Sequence, residues 1–206
     1  EGKQSIVDIQ NKFKELSQKE ILKSTAYAIN MTANRVQGHI RQQIRKEYTI
    51  SNKWLMKDGK SDFARITKLA AGEPSRLYAH VGFSYKPVPM IYFKHTGTVG
   101  EIYNIKTKQL NPINVTIKKG QTKVFRHAFI KVKKSGGEGI FAYGKYQGKE
   151  FVYNKESRRQ SELKTASPFT MAFSKGVQPK VNDFIAKELP GRLHAMLEKK
   201  LKKISK

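Results

Sequence analysis

The sequence predicts an α+β fold: a long N-terminal helix and a C-terminal helix packed on a central, mostly antiparallel β-sheet. Three observations predict it. Near both ends of the chain, apolar residues recur at three- and four-residue steps, the spacing of one helix face. Between Phe63 and about Tyr153 the period shortens, in short runs rich in β-branched and aromatic residues. No repeat at a solenoid period and no low-complexity linker interrupts the order helix, sheet, helix. One domain over residues 1–206 is the simplest account.

The elements follow in order. Residues 1–18 hold a helical segment, with Ile6, Ile9, Phe13 and Leu16 on one face. A long helix from about Lys19 to Tyr48 places Leu22, Ala26, Ile29, Ala33, Val36, Ile40, Ile44 and Tyr48 in one arc of roughly 120°. Ser51 or Asn52 then caps a short helix holding Trp54, and Asp58-Gly59 reads as a turn, closing a helical region over 19–58. The β region spans 59–160. Its runs include "RLYAHVGF", "MIYFKH", "INVTIKK", "AFIKVKK" and "GIFAYGKY", with a hairpin turn at Gly136-Gly137 and a loop over 94–111. A Ser-Pro turn and a C-terminal helix occupy 161–206, where Val181, Phe184, Ile185, Leu189, Leu193, Met196 or Leu197, Leu201 and Ile204 keep helical steps. Pro190 must either kink that helix or open a second segment. The Lys199–Lys203 cluster complements the helix C-terminus.

Charge is the largest global signal. Lys and Arg number 41 against 16 acids, a formal net charge of +25. Such an excess repels itself in the compact state and favours a polyanion or an acidic protein as partner. No run of about 18 apolar residues marks a membrane span, and the first residues lack the apolar core of a signal peptide. With no cysteine there is no disulfide framework, thiolate metal site or cysteine nucleophile, which fits a reducing cytoplasm.

Catalytic chemistry finds no constellation. The five histidines are scattered, and no HExxH occurs. "GIFAYGKY" has Gly139, Gly144 and Lys145 at phosphate-loop spacing, but Tyr146 stands where Ser or Thr would hold magnesium, and the run reads as a strand. Glu162 and Lys164 form an ExK match downstream of Glu150, a common coincidence in a lysine-rich chain, and no Asp falls between 63 and 182 to complete a metal nuclease. Ser167 has no GxSxG context and precedes Pro168, which marks a loop or helix entry. The expectation is a chain that is not an enzyme, with no catalytic residue, metal or cofactor.

Binding chemistry is better represented. Lys118, Lys119, Lys123 and Arg126, then Lys131, Lys133 and Lys134, are candidates for sequence-independent contact with the phosphates of duplex DNA. Interleaved aromatics (Phe125, Phe129, Phe141, Tyr143, Tyr146) could stack on bases, although strand aromatics more often fill a core. On the long helix, Lys23, Arg35, Arg41, Arg45 and Lys46 lie opposite the apolar arc, and Tyr27 and Met31 share that outer face. Tyr27, Met31 and Arg35 are therefore candidates for a subunit interface, the alternative being scattered surface apolars, which are normal singly.

Two motifs also carry a family likeness. The first is the Ala-rich helix core of Ala26, Ala28, Ile29, Asn30 and Ala33, followed by a basic amphipathic continuation and a short element. The second is Ser167-Pro168-Phe169 ahead of a long helix containing Glu188-Leu189-Pro190-Gly191-Arg192-Leu193. With these, the chain from about 24 to 204 resembles the prophage minor tail protein Z family of tailed bacteriophages. The resemblance implies a structural, tail-completion role at the head-proximal end of the virion tail, after assembly in the host bacterial cytoplasm. It implies a homo-oligomer, commonly a six-fold ring, with other tail or neck proteins as neighbours and DNA in its path. The alternative expectation, from charge alone, is a free basic nucleic-acid-binding protein.

Overall fold

A computed structural model describes residues 17–55, 64–99, 112–147, 150–154, 156–157 and 159–204. The expected helix over 1–18 and the Asp58-Gly59 turn lie outside or almost outside these residues. The class is α+β: a long helix near the N-terminus, a helix at the C-terminal end, and antiparallel strands between. The chain divides into two compact units. One comprises residues 1–41, 64–83 and 175–206, the other 42–63 and 84–174.

The first unit is built on helix α1, Gln18–Glu47. Ser17 caps its start, accepting from the Glu20 amide while its hydroxyl donates to the Glu20 carboxylate. The apolar arc is buried where expected, at Ala26, Ala33, Val36, Ile40 and Ile44. Burial also takes in a second row, Ser24, Ala28 and Thr32, spaced by four. Strands β1 (Ala64–Lys68) and β2 (His80–Phe83) pair antiparallel, with an irregularity between Ile66 and Lys68. Two α1 side chains hold this ribbon. Asn30 donates to the Ala70 carbonyl at 2.9 Å and accepts from the Ala70 amide at 2.7 Å. Gln37 donates to the carbonyl of Ala64.

The C-terminal helix of this unit runs Gln178–Ile204 with Pro190 inside it. Pro190 opens no second segment, because its exposed position lets the forgone carbonyl bond be met by water. His39 of α1 stacks on Phe184 of that helix, ring centroids 4.2 Å apart.

The second unit takes the end of α1 and seven strands. Helix α2, Asn52–Leu55, holds Trp54 as expected. Strands β3 (Lys94–His95), β4 (Ile113–Lys118) and β5 (Gln121–Phe125) form one sheet in the order β3-β4-β5. The run "MIYFKH" is strand only at its end: Met90–Tyr92 is a 3-10 turn entered through Pro89. Pro87 and Pro89 remove two amide donors, so the pairing here is limited to an isolated antiparallel bridge of Pro89 with Lys164, flanked by backbone bonds from Val88 and Met90. Equally, Lys94 and His95, expected within a loop, pair with Thr116 and Val115. Strands β6 (Ala128–Val132), β7 (Glu138–Gln147), β8 (Glu150–Tyr153) and β9 (Gln160–Glu162) form a second sheet around the long β7. The β6–β7 turn at Gly136-Gly137 is as expected, with Gly136 at φ +89°. Helix α3, Pro168–Ala172, is capped by Ser167, whose hydroxyl accepts from the Thr170 amide with Pro168 in the first turn. The C-terminal helix is therefore α4. Ile44, Leu55, Val88, Val115, Ile140, Leu163 and Met171, all nearly inaccessible, form this unit's core.

Candidate polyanion-binding surface

The β4–β5 hairpin collects the first group of candidate cations. Its turn, Lys119-Gly120, has Gly120 at φ +79°, a backbone that only glycine adopts without strain. Lys118 stands opposite Gln121, and Lys123 opposite Val115. β5 lies at the edge of its sheet, and every residue from Gln121 to Val124 is exposed. Residues 118–127 contain four Lys or Arg and no acid. Lys118 leans over the Tyr48 ring, its Nζ 5.6 Å from the centroid. Arg126 sits in the turn before β6, beside His127, which stacks on Tyr153 at 4.4 Å.

The second group divides. Lys133 Nζ is 2.5 Å from Glu162 Oε1, and both side chains are largely covered, so this charge is already neutralised. Lys131 donates to Gln160 Oε1 and lies 4.4 Å over the Phe141 ring. Lys134, in the turn, is exposed. Thus Lys118, Lys119, Lys123, Arg126 and Lys134 are presented to solvent, while Lys131 and Lys133 are engaged within the fold. The aromatics considered for stacking mostly serve packing. Phe129 is buried and pairs with Phe141 and Tyr143; Tyr146 meets Phe151 edge-on. Burial raises the Tyr146 phenol pKa, opposed by the Lys164 amide, which donates to the phenol oxygen at 2.6 Å.

The proposed interface trio has neighbours of its own. Tyr27 is 52% exposed and Met31 half-buried. Arg35 donates to Glu188 Oε1 on α4 at 2.6 Å. The hydrogen bond from Arg35, then that from Arg192, lowers the Glu188 carboxyl pKa.

One feature of the first unit escapes sequence reasoning. Lys23, Ser24 and Tyr27 of α1 face Met196, Lys199, Lys200 and Lys203 of α4 around a cavity of about 310 Å³. The Lys199–Lys203 cluster suggests only a complement to its own helix end. Nothing local in a sequence pairs residues some 170 positions apart.

The residues weighed for catalysis are apart or otherwise occupied. Gly139, Gly144 and Lys145 lie along strand β7, so no phosphate loop forms there. Among the described residues, no group of three or more His, Asp or Glu side chains is placed to hold a metal ion, and no helix is long and apolar enough to cross a membrane. No protein-family model, curated protein or solved structure matches the chain.

Proposed function

We propose that this chain is a structural, non-enzymatic component of a bacteriophage tail that contacts duplex DNA through phosphates, without reading sequence. The observation that carries the DNA contact is the acid-free β4–β5 hairpin. It presents Lys118, Lys119, Lys123 and Arg126 from an exposed edge strand on a chain of net charge +25. DNA phosphates would offset the self-repulsion of such a charge, and the counterions they release would drive binding. The tail assignment is supported by the motif resemblance at residues 26–33, 167–169 and 188–193. On this reading the protein acts at the head-proximal end as a homo-oligomeric ring beside other tail or neck proteins. Tyr27 and Met31 supply a surface for the neighbouring subunit.

Two measurements test it. Duplex DNA should bind at low ionic strength and be released steeply as salt rises; no salt-sensitive binding removes the DNA contact. Negative-stain images with tail tubes present should show rings; monomers alone remove the assembly. A free basic nucleic-acid-binding protein would bind DNA equally but be missing from purified particles, so particle composition decides between the two readings.

A further inference from the structure

The cavity between α1 and α4 has the chemistry of a ligand site. Four lysines line it, Lys23, Lys199, Lys200 and Lys203, and no carboxylate does. None of the four makes an ion pair among the described residues. Lysine ammonium groups with no carboxylate beside them favour a multiply charged anion as partner. Ser24 also lines the cavity, but its hydroxyl oxygen is covered and does not face a ligand. The rest of the wall is not built for a bare ion. The half-exposed Tyr27 ring and the Met196 thioether give it a flat, polarizable face. A volume of about 310 Å³ is at the small end for ligand pockets, roughly one nucleotide and far less than a duplex. Lys23 is positioned by the backbone it crosses: a Cβ at Gly72 would stand 3.1 Å from its Cγ.

We infer that this cavity binds a single nucleotide unit, with its phosphate on the lysines and its base against Tyr27. The site shares no residue with the β4–β5 hairpin and stands whether or not the hairpin binds duplex DNA; it shares Tyr27 with the proposed subunit surface, so the nucleotide is expected on the unassembled chain. Calorimetric titration of the full chain at low ionic strength tests it, with adenosine 5′-monophosphate, adenosine and inorganic phosphate as probes. The monophosphate should bind one to one, at least tenfold tighter than phosphate, with adenosine undetected. Lys199→Gln with Lys203→Gln should weaken it at least tenfold. Tyr27→Ala should weaken the monophosphate and leave phosphate unchanged. Lys118→Gln with Lys119→Gln and Lys123→Gln should change nothing, although it removes more charge; circular dichroism confirms that each variant is folded. Competition separates the two sources of the ligand. Displacement by a 5′-phosphorylated but not a 5′-hydroxyl oligonucleotide assigns the cavity to a strand end; no displacement by either assigns it to a free nucleotide. The inference is overturned if the wild type does not bind the monophosphate, or if cavity and hairpin variants lose affinity alike. It is equally overturned if phosphate binds as tightly and Tyr27→Ala has no effect.

Discussion

Arg35 of α1 and Glu188 of α4, 153 positions apart in the chain, meet at 2.6 Å. Arg192 donates to the same Oε1 from one turn along α4, also at 2.6 Å. One carboxylate thus receives two guanidinium donors, one from its own helix and one from α1. Charge-assisted bonds of this kind are short and directional, and they fix the register of two long helices more than they add stability at an exposed site.

The pair predicts a pH dependence. Glu188 has a folded pKa lowered by Arg35 and Arg192, so it favours the folded state above its unfolded pKa, about 4.3 for a free glutamate. That contribution is lost as pH falls through the lower folded value. Urea midpoints for the wild type and Glu188→Gln should differ at neutral pH, with the variant lower. They should converge as pH drops below the ordinary carboxylate range. A difference that persists unchanged into acid would show that the side chain acts by packing alone.

Asn30 predicts a larger effect. Its amide bonds both the N–H and the C=O of Ala70, which is 8% exposed. Asn30→Ala leaves a covered donor and acceptor without partners, so it should cost about 2–4 kcal/mol in urea unfolding. Asn30→Asp keeps the acceptor but sets an oxygen against the Ala70 carbonyl, and should recover less than half of the loss. Full stability in the alanine variant would mean that water serves Ala70 equally well.

Asn30 also shows what a sequence can reveal. The stripe from Leu22 to Tyr48 makes α1 legible because burial of one face demands period 3.6, and the observed limits differ from the expected ones by one residue at each end. The partner of Asn30 is set by β1 and β2, forty residues on, and no local pattern records it. The buried row of Ser24, Ala28 and Thr32 is hidden for another reason: small residues carry no hydropathy contrast, yet they allow close packing. Strand runs are visible by composition, but their division among three sheets depends on non-local pairing. The cationic hairpin was readable because its charges are contiguous. That Lys133 is neutralised and Lys123 is not depends on where Glu162 falls in the fold.

Two glycines of the second unit should respond very differently to the same substitution. At Gly144, φ is +136° and an added Cβ would stand 2.1 Å from the Val152 carbonyl oxygen. That oxygen belongs to a paired strand and cannot withdraw, so Gly144→Ala should cost about 3 kcal/mol or more. At Gly136, φ is +89° but the space is open. Gly136→Ala should cost only the left-handed backbone, about 1–2 kcal/mol. Equal losses by chemical denaturation would show that the β7–β8 pairing gives way around Gly144.

The last prediction separates cations that look alike in sequence. Lys119, Lys123 and Arg126 are exposed on the hairpin and its following turn, whereas Lys133 is held by Glu162. If each exposed cation meets one phosphate of duplex DNA, replacing all three with Gln should reduce the slope of log affinity against log salt by about 2.7, from about 0.9 per contact. Folding stability should hardly change, since surface charges away from partners contribute within about 0.5 kcal/mol. Lys133→Gln should do the reverse. It leaves Glu162, whose side chain is 18% exposed, without its counter-charge, so stability should fall by about 1–2 kcal/mol while the salt slope stays where it was. A salt slope that drops by the same amount per charge in both variants would mean that DNA senses only total charge. The hairpin would then have no privileged place in binding.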